Sequence, residues 1–253
     1  MNKNVLVISD NSYMRGRIIE LIEKKQIVGC NFSFSMTPLS QAVTQKNVGE
    51  MCESRFEIAE FNLKNENDVK KIIETFDLVI SMHCKQIFPP SLTKNVRCVN
   101  VHPGYNPINR GWYPQVFAII NDVPIGATIH EIDDQLDHGA IIAREFVKKN
   151  NFDTSKTLYD KILEKEIELL ESWLERIVHN NYVPKIPENE GNLYLKRDFK
   201  NLLKIDLTEP VTMGQAINRL RALTHGSFKN AYFIDEKTRK KVFLGISFEI
   251  ENI

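Results

Sequence analysis

The chain has 253 residues, and its 33 Lys plus Arg balance 33 Asp plus Glu, so the formal net charge is zero. That length suits one domain with an appendage or two unequal domains, and the charge balance calls for no polyanionic partner such as nucleic acid. The four scattered cysteines (Cys30, Cys52, Cys84 and Cys98) have neither metal-ligand spacing nor a disulfide framework, and they read as reduced thiols.

The first apolar run, Val5 to Ile8, stops at Ser9-Asp10-Asn11 and is too short for a signal-peptide core. No segment approaches the roughly 18 apolar residues that span a bilayer. A soluble, cytoplasmic protein without a membrane partner is expected. Val5 to Ile8 reads as a buried parallel strand. An amphipathic helix follows from Ser12 to Lys25, with Met14, Ile18, Ile19, Leu21 and Ile22 on its apolar side. A second strand is expected around Val28 to Phe34, weakened by Gly29 and Asn31. A short helix over Val69 to Thr75 and a third strand over Leu78 to Met82 continue the rhythm. This alternation predicts an α/β fold with a mainly parallel sheet. The turn after the first strand lacks the Gly-x-Gly-x-x-Gly that lets a backbone approach a pyrophosphate, and Gly16 alone cannot supply it. That argues against a dinucleotide cofactor.

Val96 to Val101 reads as a further strand. Alternation puts Val99 and Val101 on one side and Asn100 and His102 on the other, before Pro103-Gly104 stops the ladder. Such a strand end projects from the carboxyl edge of a sheet, where open α/β folds bind ligands. Strands over Thr128 to Ile132 and Ala140 to Val147 flank Gln135-Leu136-Asp137-His138-Gly139. Alone, His102 is either a structural or a catalytic histidine, and Asp137 is an ordinary turn residue. Together, the amide, imidazole and carboxylate have the composition of an acyl-transfer site. The amide donates to an oxyanion, the imidazole is a base or oxyanion donor, and the carboxylate orients the imidazole. No serine or cysteine sits in an activated-nucleophile context, so the attacking group would be the substrate's own amine or water.

Thr154-Ser155 caps a long helix with Leu158, Ile162, Ile167, Leu170, Trp173 and Ile177 at helical spacing. The stretch from Asn180 to Gly191, with Pro184 and Pro187, is the candidate boundary, dividing the chain into residues 1–183 and 184–253. Beyond it a helix is expected over Val211 to Leu223 and a β-hairpin from Ala231–Ile234 and Val242 to Ile250. So apolar a hairpin must pack on something, and a homodimer is the expected solution.

Asn100-Val101-His102-Pro103, Arg110-Gly111, Gly126-Ala127-Thr128-Ile129-His130 and Leu136-Asp137-His138-Gly139 resemble the folate-dependent N-formyltransferases in order and spacing. The run Ser81-Met82-His83-Cys84-Lys85-Gln86-Ile87-Phe88-Pro89 is most similar to the sugar-nucleotide branch of that superfamily. So are Asn109-Arg110-Gly111-Trp112-Tyr113-Pro114-Gln115 and Arg219-Leu220-Arg221-Ala222-Leu223-Thr224-His225-Gly226. The resemblance implies a Rossmann-like, mainly parallel sheet of the formyltransferase type with a small C-terminal helix plus β-hairpin region. It implies formyl transfer from N10-formyltetrahydrofolate, without a metal, to a dTDP-amino-dideoxy sugar for surface-glycan (O-antigen) synthesis. The expected acceptor is dTDP-4-amino-4,6-dideoxyglucose, with the 3-amino isomer as its alternative. A glycinamide ribonucleotide enzyme and a non-catalytic nucleotide-sugar or folate-binding module are the rival readings.

In that scheme Asn100 and His102 stabilise the oxyanion, His102 is also the base, and Asp137 holds its ring. Ile87, Phe88 and Asp133 fall to the folate, although an apolar loop anchor explains Phe88 equally well. Asn11 and Lys85 fall to the pyrophosphate, or Lys85 is a solvated loop lysine. Arg110, Trp112 and Tyr113 fall to the sugar nucleotide, or the two aromatics are ordinary core. Phe228 and Asn230 read thymine, or simply turn the chain into the hairpin. His83, His130 and His138 are expected to be structural or to support the reacting groups from behind.

Overall fold

The computed structural model describes residues 2–38 and 56–251, so the reading of Cys52 lies outside the described residues. Strand β1 (Lys3–Ile8) buries Val5 to Ile8 completely, as an unbroken apolar run requires of a strand covered on both faces. The side chain of Asn11 accepts a hydrogen bond from the Met14 N–H and caps helix α1 (Ser12–Lys25). That helix closes on Gln26 in the left-handed region, and Gly29 follows with φ of 76°. Both turns consume residues that look strand-like, leaving Val28 85% exposed. The second strand, β2 (Cys30–Met36), therefore starts later than the apolar pattern indicates.

Strand β3 (Ile58–Glu60), helix α2 (Glu66–Thr75, capped by Asn65), strand β4 (Leu78–Met82), helix α3 (Pro90–Thr93) and strand β5 (Arg97–His102) follow. Next come β6 (Arg110–Gly111), α4 (Pro114–Ile120), β7 (Gly126–Glu131), β8 (Ile141–Phe146) and the long α5 (Ser155–Val178). The carboxyl-terminal part holds β9 (Leu193–Tyr194), α6 (Lys196–Leu203), α7 (Met213–Leu223), β10 (Tyr232–Ile234) and β11 (Lys241–Phe243).

The fold is mixed α/β around a seven-stranded sheet ordered β3-β2-β1-β4-β5-β7-β8. Its strands pair in parallel from β3 to β5, and β7 runs antiparallel to β5. The chain winds from β1 out to β3, then crosses back to lay β4 on the other side of β1. The strand order therefore reverses between β1 and β4, and ligands of open α/β sheets bind at the carboxyl ends around such a point.

Two compact units interleave along the chain. One comprises Met1–His102, Thr128–Arg144 and Glu166–Glu188, the other Pro103–Ala127, Glu145–Lys165 and Asn189–Ile253. In the first, Leu6, Ile8, Val69, Ile72, Val79 and Leu92 share a core. In the second, Val116, Ile119, Leu158, Ile162, Ala222 and Leu223 do the same. Thr212 and Gln215 form a reciprocal capping box that starts α7. The terminal hairpin is shorter than expected. Leu244 N–H still donates to the Ala231 carbonyl in register with β10, but Ile246 N–H turns to Thr224 Oγ1 and the ladder ends. Among the described residues no helix is long and apolar enough to cross a membrane.

Candidate active site

The site grows out of the last parallel strand and its antiparallel neighbour. On β5, Val99 and Val101 are fully buried, while Asn100 and His102 lie on the opposite face. On β7, His130 stands directly across from Asn100 and Thr128 across from His102. Opposed residues in an antiparallel pair hold their Cβ atoms about 4.5–5.5 Å apart, so the side chains must meet. Asn100 Nδ2 lies 3.2 Å from His130 Nε2, and His130 Nδ1 lies 2.7 Å from the Glu131 carbonyl oxygen.

Asp137 arrives from the turn between β7 and β8, with φ of 48°. Its Oδ1 accepts from Asn100 Nδ2 at 3.2 Å and stands 3.6 Å from His130 Nε2. Its Oδ2 is 3.5 Å from His102 Nδ1. Gly139 makes this approach possible, since a Cβ there would sit 1.9 Å from the Glu131 carbonyl oxygen. His102 and His130 are buried and the Asp137 side chain is only 11% exposed. Coulombic and hydrogen-bonding terms are strengthened at such depth. The set combines an amide donor, an imidazole that exchanges a proton and a carboxylate that orients it, which is the equipment of acyl transfer to an amine. Burial pushes the nearby thiols of Cys84 and Cys98 up to about 12, so neither is a ready thiolate nucleophile. Among the described residues no group of three His, Cys, Asp or Glu is arranged to hold a metal ion.

The loop after β4 lies in the same unit. Phe88 is anchored in the core and Ile87 is 80% exposed beside it. Lys85 carries its side chain outward while its backbone N–H donates to Asp10 Oδ2 at 2.7 Å. Asn11 uses its side-chain oxygen on the α1 cap. Asp133 holds His138 Nδ1 at 2.6 Å and the Gln135 N–H at 3.0 Å, stiffening the turn that delivers Asp137.

The remaining expected positions belong to the other unit. Arg110 is buried and donates to the carbonyl and the Oε2 of Glu190, at 2.9 and 3.1 Å. Tyr113 precedes α4 with φ of 56° and stacks on Phe199 at 4.1 Å. Trp112 carries the Lys196 ammonium 3.8 Å above its ring. Phe228 is 71% exposed, and Asn230 Nδ2 donates to the Leu223 carbonyl at the end of α7. Sequence reasoning passed over Asp10 and Glu166 altogether. The first looks like a turn residue and the second like one more helix glutamate, and only their burial distinguishes them.

A family model described as Formyl transferase matches residues 2–174, and one described as N-formyltransferase dimerization C-terminal domain matches residues 198–251. The dTDP-4-amino-4,6-dideoxyglucose formyltransferase of Mycobacterium tuberculosis is 51% identical over 183 residues, covering 72% of this chain and 78% of the relative. A solved 4-N formyltransferase from Francisella tularensis superposes with a TM-score of 0.89 at 40% identity, over 98% of this chain and 99% of that one. A sugar N-formyltransferase from Shewanella sp. superposes with a TM-score of 0.89 at 37% identity, over 99% of both chains.

Proposed function

This chain belongs to the formyl transferase family, and on that premise we propose that it is a sugar N-formyltransferase. It moves the formyl group of N10-formyltetrahydrofolate to the amine of a dTDP-amino-dideoxy sugar, dTDP-4-amino-4,6-dideoxyglucose, in surface-glycan synthesis. The observation that carries the chemistry is the convergence of Asn100, His102 and Asp137, with contacts of 3.2 and 3.5 Å. The choice of acceptor rests on the relative that shares 51% identity and acts, by its name, on that sugar.

The loop after β4 suits a flat, largely apolar donor. Ile87 is presented outward on a backbone that Phe88 anchors, and Asp133 adds a polar group near the Asp137 turn. These residues would hold the folate, which supplies an electrophilic formyl carbon when bound. His102 turns Nδ1 to Asp137, so Nε2 is the edge that takes the amine's proton. The protonated ring then donates to the negative charge that develops on the formyl oxygen, and the Asn100 amide does the same with an N–H that it releases from His130 or Asp137. Asp137 keeps the imidazole in the tautomer this requires. Each of these groups is worth on the order of 10²–10⁴ in rate.

Lys85 meets the diphosphate of the sugar nucleotide, with Asn11 beside it at the β1 end. We assign the chemistry to residues 1–183 and self-association to residues 184–253, which include the stretch that matches the dimerization domain. Unpaired thiols at Cys30, Cys84 and Cys98 agree with a cytoplasmic enzyme.

The test is a transfer assay that offers the 4-amino and 3-amino dTDP-sugars in parallel, with His102→Ala as control. Turnover of the 4-amino sugar, lost in the variant, is expected. Turnover of the 3-amino sugar alone would reassign the acceptor, and turnover of neither would overturn the sugar reading.

A further inference from the structure

Helix α5 carries Leu170, Leu174 and Ile177 at helical spacing, all completely buried. Glu166 lies four residues before Leu170 in the same stripe and is equally buried. A carboxylate there is costly unless it is paired, and a leucine would serve the packing better. Its Oε2 is 2.8 Å from His83 Nε2, and its Oε1 has no hydrogen-bond partner among the described residues. His83 itself has φ of 57°, a left-handed conformation that glycine would adopt without strain. Two unfavourable choices thus converge on the residue that follows β4.

Two residues later stands Lys85. Its N–H is held by Asp10 Oδ2 at 2.7 Å, and Asp10 is itself held by the Thr37 N–H at 2.7 Å and the Thr37 hydroxyl at 2.8 Å. Gln86 Oε1 accepts from the Leu63 N–H at 2.7 Å. The His83-Cys84-Lys85-Gln86 run is therefore pinned from α5 by the His83 side chain, from beyond the end of β1 by the Lys85 main chain and from the segment after β3 by the Gln86 side chain, while the Lys85 side chain remains exposed. The run lies where the strand order reverses, between β1 and β4. Strain and buried charge of this kind persist where the surrounding structure over-determines a functional position.

We propose that Glu166, acting through His83, and Asp10 are positioning residues that hold the Lys85 main chain so that its ammonium group meets the diphosphate of the sugar nucleotide. This rests on the role given to Lys85 above. The pair governs affinity for the diphosphate rather than the formyl-transfer step.

The experiment is a double-mutant cycle on dTDP affinity, measured by isothermal titration calorimetry with Lys85→Ala, Glu166→Gln, Asp10→Asn and the two doubles that contain Lys85→Ala. Lys85→Ala is expected to weaken dTDP about tenfold, the loss of one hydrogen bond from a charged group. Glu166→Gln and Asp10→Asn should each weaken it severalfold, and neither double should bind worse than Lys85→Ala alone. In turnover, the sugar-nucleotide KM of the two positioning variants should rise by a larger factor than kcat falls, with the folate KM as the internal control. Wild-type dTDP affinity in Lys85→Ala would remove Lys85 from the substrate site. An effect of Lys85→Ala, with Glu166→Gln and Asp10→Asn costing the same in both backgrounds, would leave Lys85 in place and overturn the positioning role. Should Glu166→Gln fail to fold, Asp10→Asn, in the turn after β1, carries the same cycle.

Discussion

His130 Nδ1 stands 2.7 Å from the carbonyl oxygen of Glu131, and this contact decides the polarity of the group facing Asn100. A carbonyl only accepts, so Nδ1 carries the proton, and Nε2 of the neutral ring is left as an acceptor. The Asn100 amide nitrogen consequently faces two acceptors, His130 Nε2 and Asp137 Oδ1, each at 3.2 Å. The amide is thereby held with its nitrogen, not its oxygen, toward the carboxylate.

His130→Phe removes that acceptor while keeping a ring in the space. Its kcat should fall about tenfold, the equivalent of one hydrogen bond of about 1.4 kcal/mol, with the sugar KM little changed. Steady-state kinetics check this. An unaltered kcat would mean that Asn100 needs no help from β7.

Gly139→Ala tests how Asp137 is delivered. Its methyl group would come within 1.9 Å of the Glu131 carbonyl oxygen, so the turn must withdraw from β7. The overpacking should cost about 1–3 kcal/mol in thermal unfolding. It should also lower kcat in protein that is still folded, because the Asp137 contacts to Asn100 and His102 open. A variant destabilised but fully active would dissociate the turn from the chemistry.

His225 in the second unit makes a pH prediction. Burial first, and the Lys156 ammonium second, hold its pKa below the ordinary 6.5, and its Nδ1 sits 3.0 Å from Ser155 Oγ. Below pH 6.5 the unfolded chain takes up a proton that the folded chain refuses. The stability present above that pH is therefore lost as the pH falls toward the lower folded value. His225→Gln should lose less Tm than the parent between about pH 7.5 and 5.5. Identical losses in the two proteins would exclude this source.

Cys84 and Cys98, with thiols raised to about 12 by burial, should resist alkylation in the folded enzyme near neutral pH. Peptide mass spectrometry after iodoacetamide treatment reads this out. Rapid labelling of Cys84 would show that the segment leading to Lys85 opens readily.

Much of this was legible before any coordinates. Val5–Ile8 and Leu78–Met82 announce themselves as unbroken apolar runs. The two-residue period of a strand is enough to put Asn100 and His102 on one face. Asp137 joins them through its chemistry, a carboxylate to orient an imidazole, and through the family resemblance, because a turn some 35 residues away has no local period linking it to β5. Helix α4 escaped notice because Pro114 to Ile119 are buried all round, and no amphipathic stripe marks such a segment. Glu166 sits between Glu164 and Glu168 and reads as a solvated charge until α5 is seen to turn that face inward. The roles of Arg110 and Asn230 depend on Glu190 and Leu223, partners that only tertiary structure supplies.

The change of direction at β7 has a consequence for how sequences of this kind can vary. Antiparallel pairing sets His130 squarely opposite Asn100, with Ile129 and Glu131 on either side of it in the ladder. A slip of one residue would bring one of those two opposite the amide and send the imidazole through to the far face of the sheet. A single deletion inside β7 would thus silence the enzyme with its asparagine, histidine and aspartate all intact. A similar change between Ile234 and Lys241 lies outside that ladder and leaves its register untouched. Whether a related gene encodes a working enzyme is therefore a matter of counting residues along β7 as well as of finding three letters.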